Sequence, residues 1–471
     1  MSDSTATNKL YDVIIIGAGL SGLQAASSLR AAGRDICVLE ATDRVGGKTL
    51  SVQSTEDGFN DLGAAWINDT SQSEMYQLFE RYGIHGEVQY TQGDNVYNST
   101  SSPGGAIRVP YGMIPEGEET ISKVISACIA ATDKVRLDDP GYSEEAWKLD
   151  QITFTEFCTR DMSSKDEALV AEAFATAVTD ALLGVAADEL SALCMMHYFK
   201  CGTGILNLLS DLKDGGQHLR AREGMQTISK RMAGELGSDT IHLQTPVTSV
   251  DQSASRGHCT VKTAIGEVFT SRHVVLSIPT TLYHTIKFTP SLPSAKASLG
   301  HSTIMGDYSK MIFLFSEPWW RHAGLTGTLD DDDPSRPISF SRDTSIPDDN
   351  QWSITCFIVG NRARRWSELS KEERQDQAWK QFTETFGSIV ETVPLPTNTL
   401  EMIWKTQPFF WGAPCPVMPL EVLTTVGGEL EAPFGNVHFV GAETSDVWRG
   451  YMEGAVRSGK RGAEEVLEAL R

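Results

Sequence analysis

Apolar residues in this chain gather into short unbroken runs that end in glycine-rich turns. The first run, Tyr11-Asp-Val-Ile-Ile-Ile16, is β-branched through its second half, the pattern of a strand covered on both faces of a parallel sheet. It passes directly into Gly17-Ala-Gly-Leu-Ser-Gly22, and a helical pattern then runs from Leu23 to Ala32, with Gly33 as its stop. A second apolar strand, Ile36-Cys-Val-Leu39, ends at Glu40. Further along, Met305–Ser316 places Lys310 immediately before another apolar strand, and the final residues from Gly462 read as an amphipathic or polar helix end. The Asp330–Asp333 run before Pro334 reads as a solvated loop.

Each residue type in the opening unit has a physical task. Gly17 permits the tight turn, Gly19 lets backbone approach a pyrophosphate, and Gly22 lets the helix pack on the strand. The helix N-terminus presents free N–H groups to phosphates, and Glu40 can accept hydrogen bonds from a ribose diol. Strand, glycine turn, helix, second strand and acid together are far more specific than the glycines alone. An acid at this position disfavours a 2′-phosphate, which leaves FAD or NAD. Just beyond, Arg44, Gly46, Gly47 and Lys48 form a second basic glycine turn that suits a longer ligand, with the cations set to neutralise phosphates. Asp61-Leu-Gly-Ala-Ala-Trp66 supplies another close-approach loop.

Composition narrows the classes. The chain has 471 residues, enough for two or three domains, with 40 basic against 62 acidic side chains and a net charge of −22. That excess repels phosphate backbones and argues against nucleic-acid binding and anionic membranes. No run of about 18 apolar residues predicts a membrane span, and Met1–Lys9 lacks the basic and apolar regions of a leader. A soluble, cytoplasmic protein without a membrane anchor is expected. The eight cysteines show no CxxC pair and the histidines no HExxH, so no metal site is predicted.

These motifs resemble those of the flavin-containing amine oxidases, the monoamine and polyamine oxidase family, and most closely its soluble fungal members. The family signature is GxGxxG, a ribose-binding Glu, an RxGGR turn and a DxGG loop followed by an aromatic. Here Lys48 stands in place of the second Arg and Ala64 in place of the second Gly, with Ala65 and Trp66 following. At the other end, His438-Phe-Val-Gly-Ala-Glu-Thr444 is similar to a strand-then-GTET segment, and Trp448-Arg-Gly-Tyr-Met-Glu-Gly-Ala-Val456 to W-x-GYMEGA-V. The resemblance implies an α/β protein in which a Rossmann-like FAD domain (10–87, 222–299 and 407–469) is interleaved with a substrate domain of mixed sheet and helices (88–221 and 300–406). It implies FAD contacts from Glu443, Met452, Gly454 and Ala455, from Val247 in the strand-like segment Leu243–Val250, and from Trp404 near the flavin. His273–Pro279 resembles the strand that returns the chain to the other domain.

Carried over residue by residue, Lys310 matches a lysine that holds a water beside the flavin and assists reaction with oxygen. Tyr451 matches one wall of an aromatic cage around the substrate amine. Ala413 occupies the position of a cysteine that bonds the flavin in animal monoamine oxidases, and Pro414 that of the second cage wall. Cys415, two residues on, would share a face with Ala413 in a strand-like segment, but non-covalent FAD is the expectation. Gln217 matches a glutamine beside the substrate, and Leu206 and Leu209 are candidate cavity residues.

The activity implied is oxidative deamination. FAD takes two electrons from a neutral primary amine, O2 restores it with release of hydrogen peroxide, and the imine hydrolyses to a carbonyl product and ammonia. The missing aromatic at Pro414 points to a larger or longer amine, such as a sphingoid-like or fumonisin-like amino-polyol. The family also implies a homodimer. A polyamine oxidase would need tunnel carboxylates. An L-amino-acid oxidase would need an arginine clamp, and none is identifiable. A non-catalytic relative, like the GDP-dissociation inhibitors, would not need the complete flavin-edge motifs.

Overall fold

The computed structural model describes residues 9–100, 105–253 and 257–471. Met1–Asn8, most of the segment read as lacking a leader, lie outside the described residues. The fold is α/β. Strand Leu10–Ile16 runs parallel to Ile36–Leu39 on one side and to Val268–Leu276 on the other, in the middle of an eight-stranded sheet. The reason for its unbroken apolar run is visible in the packing. Val13 and Ile15 join the core beneath helices Leu20–Ala31 and Met452–Ala469, while Ile14 and Ile16 join a second core on the opposite face. The short strand Val437–Phe439 adds in parallel to Val268–Leu276, so the C-terminal motif ends beside the first glycine turn.

A second, seven-stranded sheet has the order Asn398–Ile403, Tyr308–Phe315, Trp352–Val359, Phe340–Asp343, Leu325–Asp331, Asp94–Asn98, Ile107–Pro110. Helices Glu118–Lys134, Lys165–Leu183 and Ala192–Cys201 build a separate apolar core that also takes in Cys415 and Trp448. Among the described residues no helix is long and apolar enough to cross a membrane.

Two expectations need correction. Lys310 is the third residue of strand Tyr308–Phe315 and so sits within it. Asp330 and Asp331 belong to strand Leu325–Asp331, with Asp331 buried. Burial is tolerated because Asp331 accepts from Asn98 Nδ2 at 3.1 Å, Gln381 Nε2 at 2.9 Å and the Asp333 N–H at 2.9 Å, which satisfies the carboxylate. A run of like charges therefore concealed a strand end with its own donors.

Candidate cofactor and substrate site

One cavity of about 660 Å3 runs from the first glycine turn and Glu40, past Lys48 and Glu443, to Lys310 and Tyr451. Its phosphate end is shaped by missing side chains. Gly17 has φ +102°, and a Cβ there would lie 2.5 Å from the Ser277 carbonyl oxygen. A Cβ on Gly22 would lie 2.0 Å from the Gly17 carbonyl oxygen, so Gly22 serves helix–strand packing and does not line the cavity. Gly47 and Gly19 approach so closely that a Cβ on Gly47 would sit 3.1 Å from the Gly19 Cα. Helix Leu20–Ala31 starts here with no side-chain cap, leaving its first N–H groups for an anion. Glu40 accepts from the Ala18 N–H at 2.7 Å and from Thr42, which fixes its carboxylate at the cavity wall.

Lys48 lines the cavity, but its ammonium donates to the Pro414 carbonyl at 2.9 Å and faces Glu443. Burial lowers its pKa, and Glu443 works against that. Glu443 in turn accepts from the Thr280 N–H and hydroxyl at 3.0 and 3.1 Å. Arg44 does not line the cavity. Its guanidinium donates to the Thr49 carbonyl at 3.1 Å and lies 5.6 Å from the centre of the Phe410 ring, which lines the cavity.

Gly47, Ala64, Ala65, Trp66, Val247, Trp404, Ala413, Met452 and Ala455 all line the cavity. Trp404 is held there by its indole N–H on the Leu62 carbonyl at 3.0 Å. Gly454 does not line it. A Cβ at that position would meet the Trp448 carbonyl oxygen at 2.5 Å, so this glycine allows the turn into the last helix. Helix Met452–Ala469 begins at the cavity, and its positive end favours negative charge on whatever lies there.

At the far end Lys310 is buried, 4% exposed, and donates to the carbonyls of Gly63 at 2.6 Å and Asp61 at 3.0 Å. Its ammonium lies 5.3 Å from the Phe357 ring centre and 5.4 Å from that of Trp66. Burial brings its pKa down to about 8, although Asp61 favours the charged form. Tyr451 stacks on Tyr198, with centroids 6.2 Å apart and planes 29° from parallel, and both rings line the cavity with Pro414, Tyr308 and Phe357.

Gln217 lines the cavity, its amide held by the Leu208 carbonyl. Leu206 and Leu209 do not. Leu206, in the single turn Ile205–Leu208, is 58% exposed and Leu209, just after that turn, is 37% exposed, while Leu208 faces the core. Their apolar character does not show direction, because a four-residue helix has no periodicity to read. The alternation placing Cys415 with Ala413 also fails. Residues 412–415 form no strand, and Cys415 turns into the helical core with its thiol pushed up to about 12 by burial.

Three aromatic wall residues escaped the sequence reading. Tyr308 had a usable signal, since it lies two residues before Lys310 on the same strand and so shares its face. Phe357 comes opposite Lys310 only through strand register, and Tyr198 comes from the separate helical core.

This arrangement has counterparts of known kind. The sequence model described as "Flavin containing amine oxidoreductase" matches residues 20–467. The chain belongs to this family. It is 32% identical over 98% of both chains to a protein of Dictyostelium discoideum named probable flavin-containing monoamine oxidase A. It is 29% identical to human amine oxidase [flavin-containing] B, over 98% of this chain and 86% of that one. Among solved structures, cyclohexylamine oxidase from Brevibacterium oxydans superposes with a TM-score of 0.87 at 29% identity, covering 98% of this chain and 100% of that one. A putrescine oxidase bound to putrescine also gives 0.87, at 26% identity over 98% of this chain and 99% of that one.

FAD is accordingly the cofactor of this flavoenzyme, and the cavity suits it. The glycine cradle with an uncapped helix end, the fixed Glu40, and a second helix N-terminus on the cavity wall match a ligand carrying a pyrophosphate, a ribose and a ring that gains negative charge on reduction.

Proposed function

We propose that the protein oxidatively deaminates a large or long-chain primary amine, consuming O2 and giving a carbonyl compound, ammonia and hydrogen peroxide. Sphingoid-like and fumonisin-like amino-polyols are the substrate class favoured. The observation that carries this reading is the composition of the Tyr451 end of the cavity: Tyr451, Tyr198, Tyr308 and Phe357 surround it, with Pro414 where a second cage ring would narrow the throat. Residues 10–87, 222–299 and 407–469 form the FAD-binding part in this reading.

When bound, FAD supplies the two-electron oxidation of the amine and passes the electrons to O2. The protein's own residues do the rest. Apolar and aromatic walls favour the neutral amine, the form with a free nitrogen lone pair. The faces of Tyr451 and Tyr198 orient it, and Gln217 supplies a polar contact at the wall. Lys310 holds a positive charge beside the reacting region through two carbonyl acceptors. Lys48 and Glu443 fix the opposite side, and the last helix directs its dipole there.

The charged lining also speaks against the rival substrates. Among the described residues the only carboxylates on the cavity are Glu40 and Glu443, both already engaged, and no arginine lines it. A second ammonium would find no unengaged carboxylate there, and a substrate carboxylate no arginine fork.

A peroxide-coupled screen across aliphatic, aromatic, polyamine and long-chain amines tests the proposal, with turnover expected to favour long-chain primary amines. Pro414→Tyr should raise KM for the long or branched amines by about tenfold, the scale of a steric mismatch of one or two methylenes, and change that for small arylalkylamines far less. Equal effects on all sizes would remove Pro414 from the selectivity argument.

FAD is proposed to be held without a covalent bond, since Ala413 offers no thiol and Cys415 faces away. After acid precipitation the yellow colour should remain in the supernatant. A yellow pellet that turns colourless in Cys415→Ser would reverse this assignment.

A further inference from the structure

Lys310 separates two cavities. The large one opens toward Tyr451, and behind the lysine lies a void of about 10 Å3 lined by Asp61, Arg220, Thr344 and Thr355. That is close to the space one water molecule needs. The wall of this void carries an unmet donor. Arg220, 5% exposed, gives Nη1 to the Thr344 carbonyl at 2.9 Å and Nη2 to the Ser345 carbonyl at 2.8 Å, while its buried Nε has no partner. Lys310 is similarly incomplete. An ammonium has three donors, and two are spent on the Asp61 and Gly63 carbonyls. Asp61 is fixed by accepting on Oδ1 from the Ser51 hydroxyl at 2.5 Å and the Met225 N–H at 3.0 Å.

We propose that the void holds one ordered water bridging Arg220 Nε, the Asp61 carboxylate and Lys310, and that Asp61 is a positioning residue that keeps Lys310 an ammonium while O2 is reduced in the larger cavity. The inference rests on the reading of Lys310 given above and adds the groups that set its charge. The charges facing Lys310 are Asp61, which stabilises its cation, and Arg220, which opposes it. Beyond Arg220 stand Asp343, Glu87 and Arg321, whose charges act on the guanidinium. Burial raises the Asp61 carboxyl to about 6, and Lys310 counteracts that rise. Between about 6 and about 8, therefore, both buried groups carry charge and each favours the charged form of the other. Burial first, and Arg220 after it, push the lysine toward its neutral form, and Asp61 is the charge that opposes both.

Asp61→Asn keeps an acceptor for Ser51 and Met225 but removes the charge. In the FAD-loaded protein labelled with 13C-lysine, the Lys310 signal, assigned by its loss in Lys310→Met, should titrate at least about one pH unit lower in Asp61→Asn. The pH at which reaction of the amine-reduced enzyme with O2 falls to half should move by the same amount, and Asp61→Glu should restore much of it. A Lys310 titration unchanged by Asp61→Asn would overturn the inference. So would a high-resolution crystal structure of the wild-type holoenzyme with no water density in the void, a measurement that does not depend on the variant folding. Either negative result leaves amine oxidation itself standing, because bleaching of the bound flavin by amine is read separately.

Discussion

Lys310→Met is expected to slow the reaction of the amine-reduced enzyme with O2 by about a hundredfold, while reduction by the amine itself changes by no more than about threefold. The magnitude is that of removing one preorganised group aimed at developing charge in a water-poor site. Lys310 meets both conditions, being 4% exposed and pinned by two backbone carbonyls. Methionine keeps the length and apolar stem, so loss of packing is a small part of the effect. The pH dependence follows with a definite sign. A lysine is cationic below its pKa, and Lys310 stands near about 8. Wild-type reaction with O2 should therefore decline as pH rises through about 8, and the methionine variant should lack that limb. Stopped-flow mixing of the reduced enzyme with oxygenated buffer across this range measures both quantities. A slowed reductive step with a normal oxidative one would remove Lys310 from the oxygen reaction.

Gly17→Ala should yield protein that purifies without the flavin absorbance band, or that melts far below the wild type. Two effects combine. A φ of +102° is strained for any L-residue, and the new Cβ would meet the Ser277 carbonyl oxygen at 2.5 Å. Strain of this kind costs about 1–3 kcal/mol. Relieving the overlap must move either the turn or the strand Val268–Leu276, whose end carries Ser277, and both border the phosphate end of the cavity. Gly234 is the matched control. It lies inside helix Gln226–Leu236 with open space around its Cβ position, so Gly234→Ala should keep the flavin and stabilise the protein by about 0.5–1 kcal/mol. Comparable flavin loss in both variants would show that glycine removal in general, and not the cradle, is responsible.

How far the sequence could be read depended on whether a residue acts through its local segment. The opening strand, glycine turn, helix and Glu40 form one contiguous unit whose spacing is its geometry, and the structure places them as expected. Tyr451, Met452 and Ala455 come to the cavity together for the same reason, lying in a single turn into the last helix. For Arg44 the sequence reports a charge but not its direction, and the guanidinium lies against Phe410. Leu206 and Leu209 were misjudged because four helical residues carry no periodicity. The aromatic surround of Lys310 depends on register between strands far apart in the chain and on a helix from another core. The Asp330–Asp331 strand end was hidden because its donors, Asn98 and Gln381, are distant in sequence.

The proposed activity requires amine-driven reduction of bound FAD, which is directly observable. Purified protein mixed anaerobically with a long-chain primary amine should lose its flavin absorbance. Admitting air should restore it with one hydrogen peroxide formed per amine oxidised. A yellow protein that no aliphatic, aromatic, polyamine or long-chain amine can bleach would contradict the proposed function.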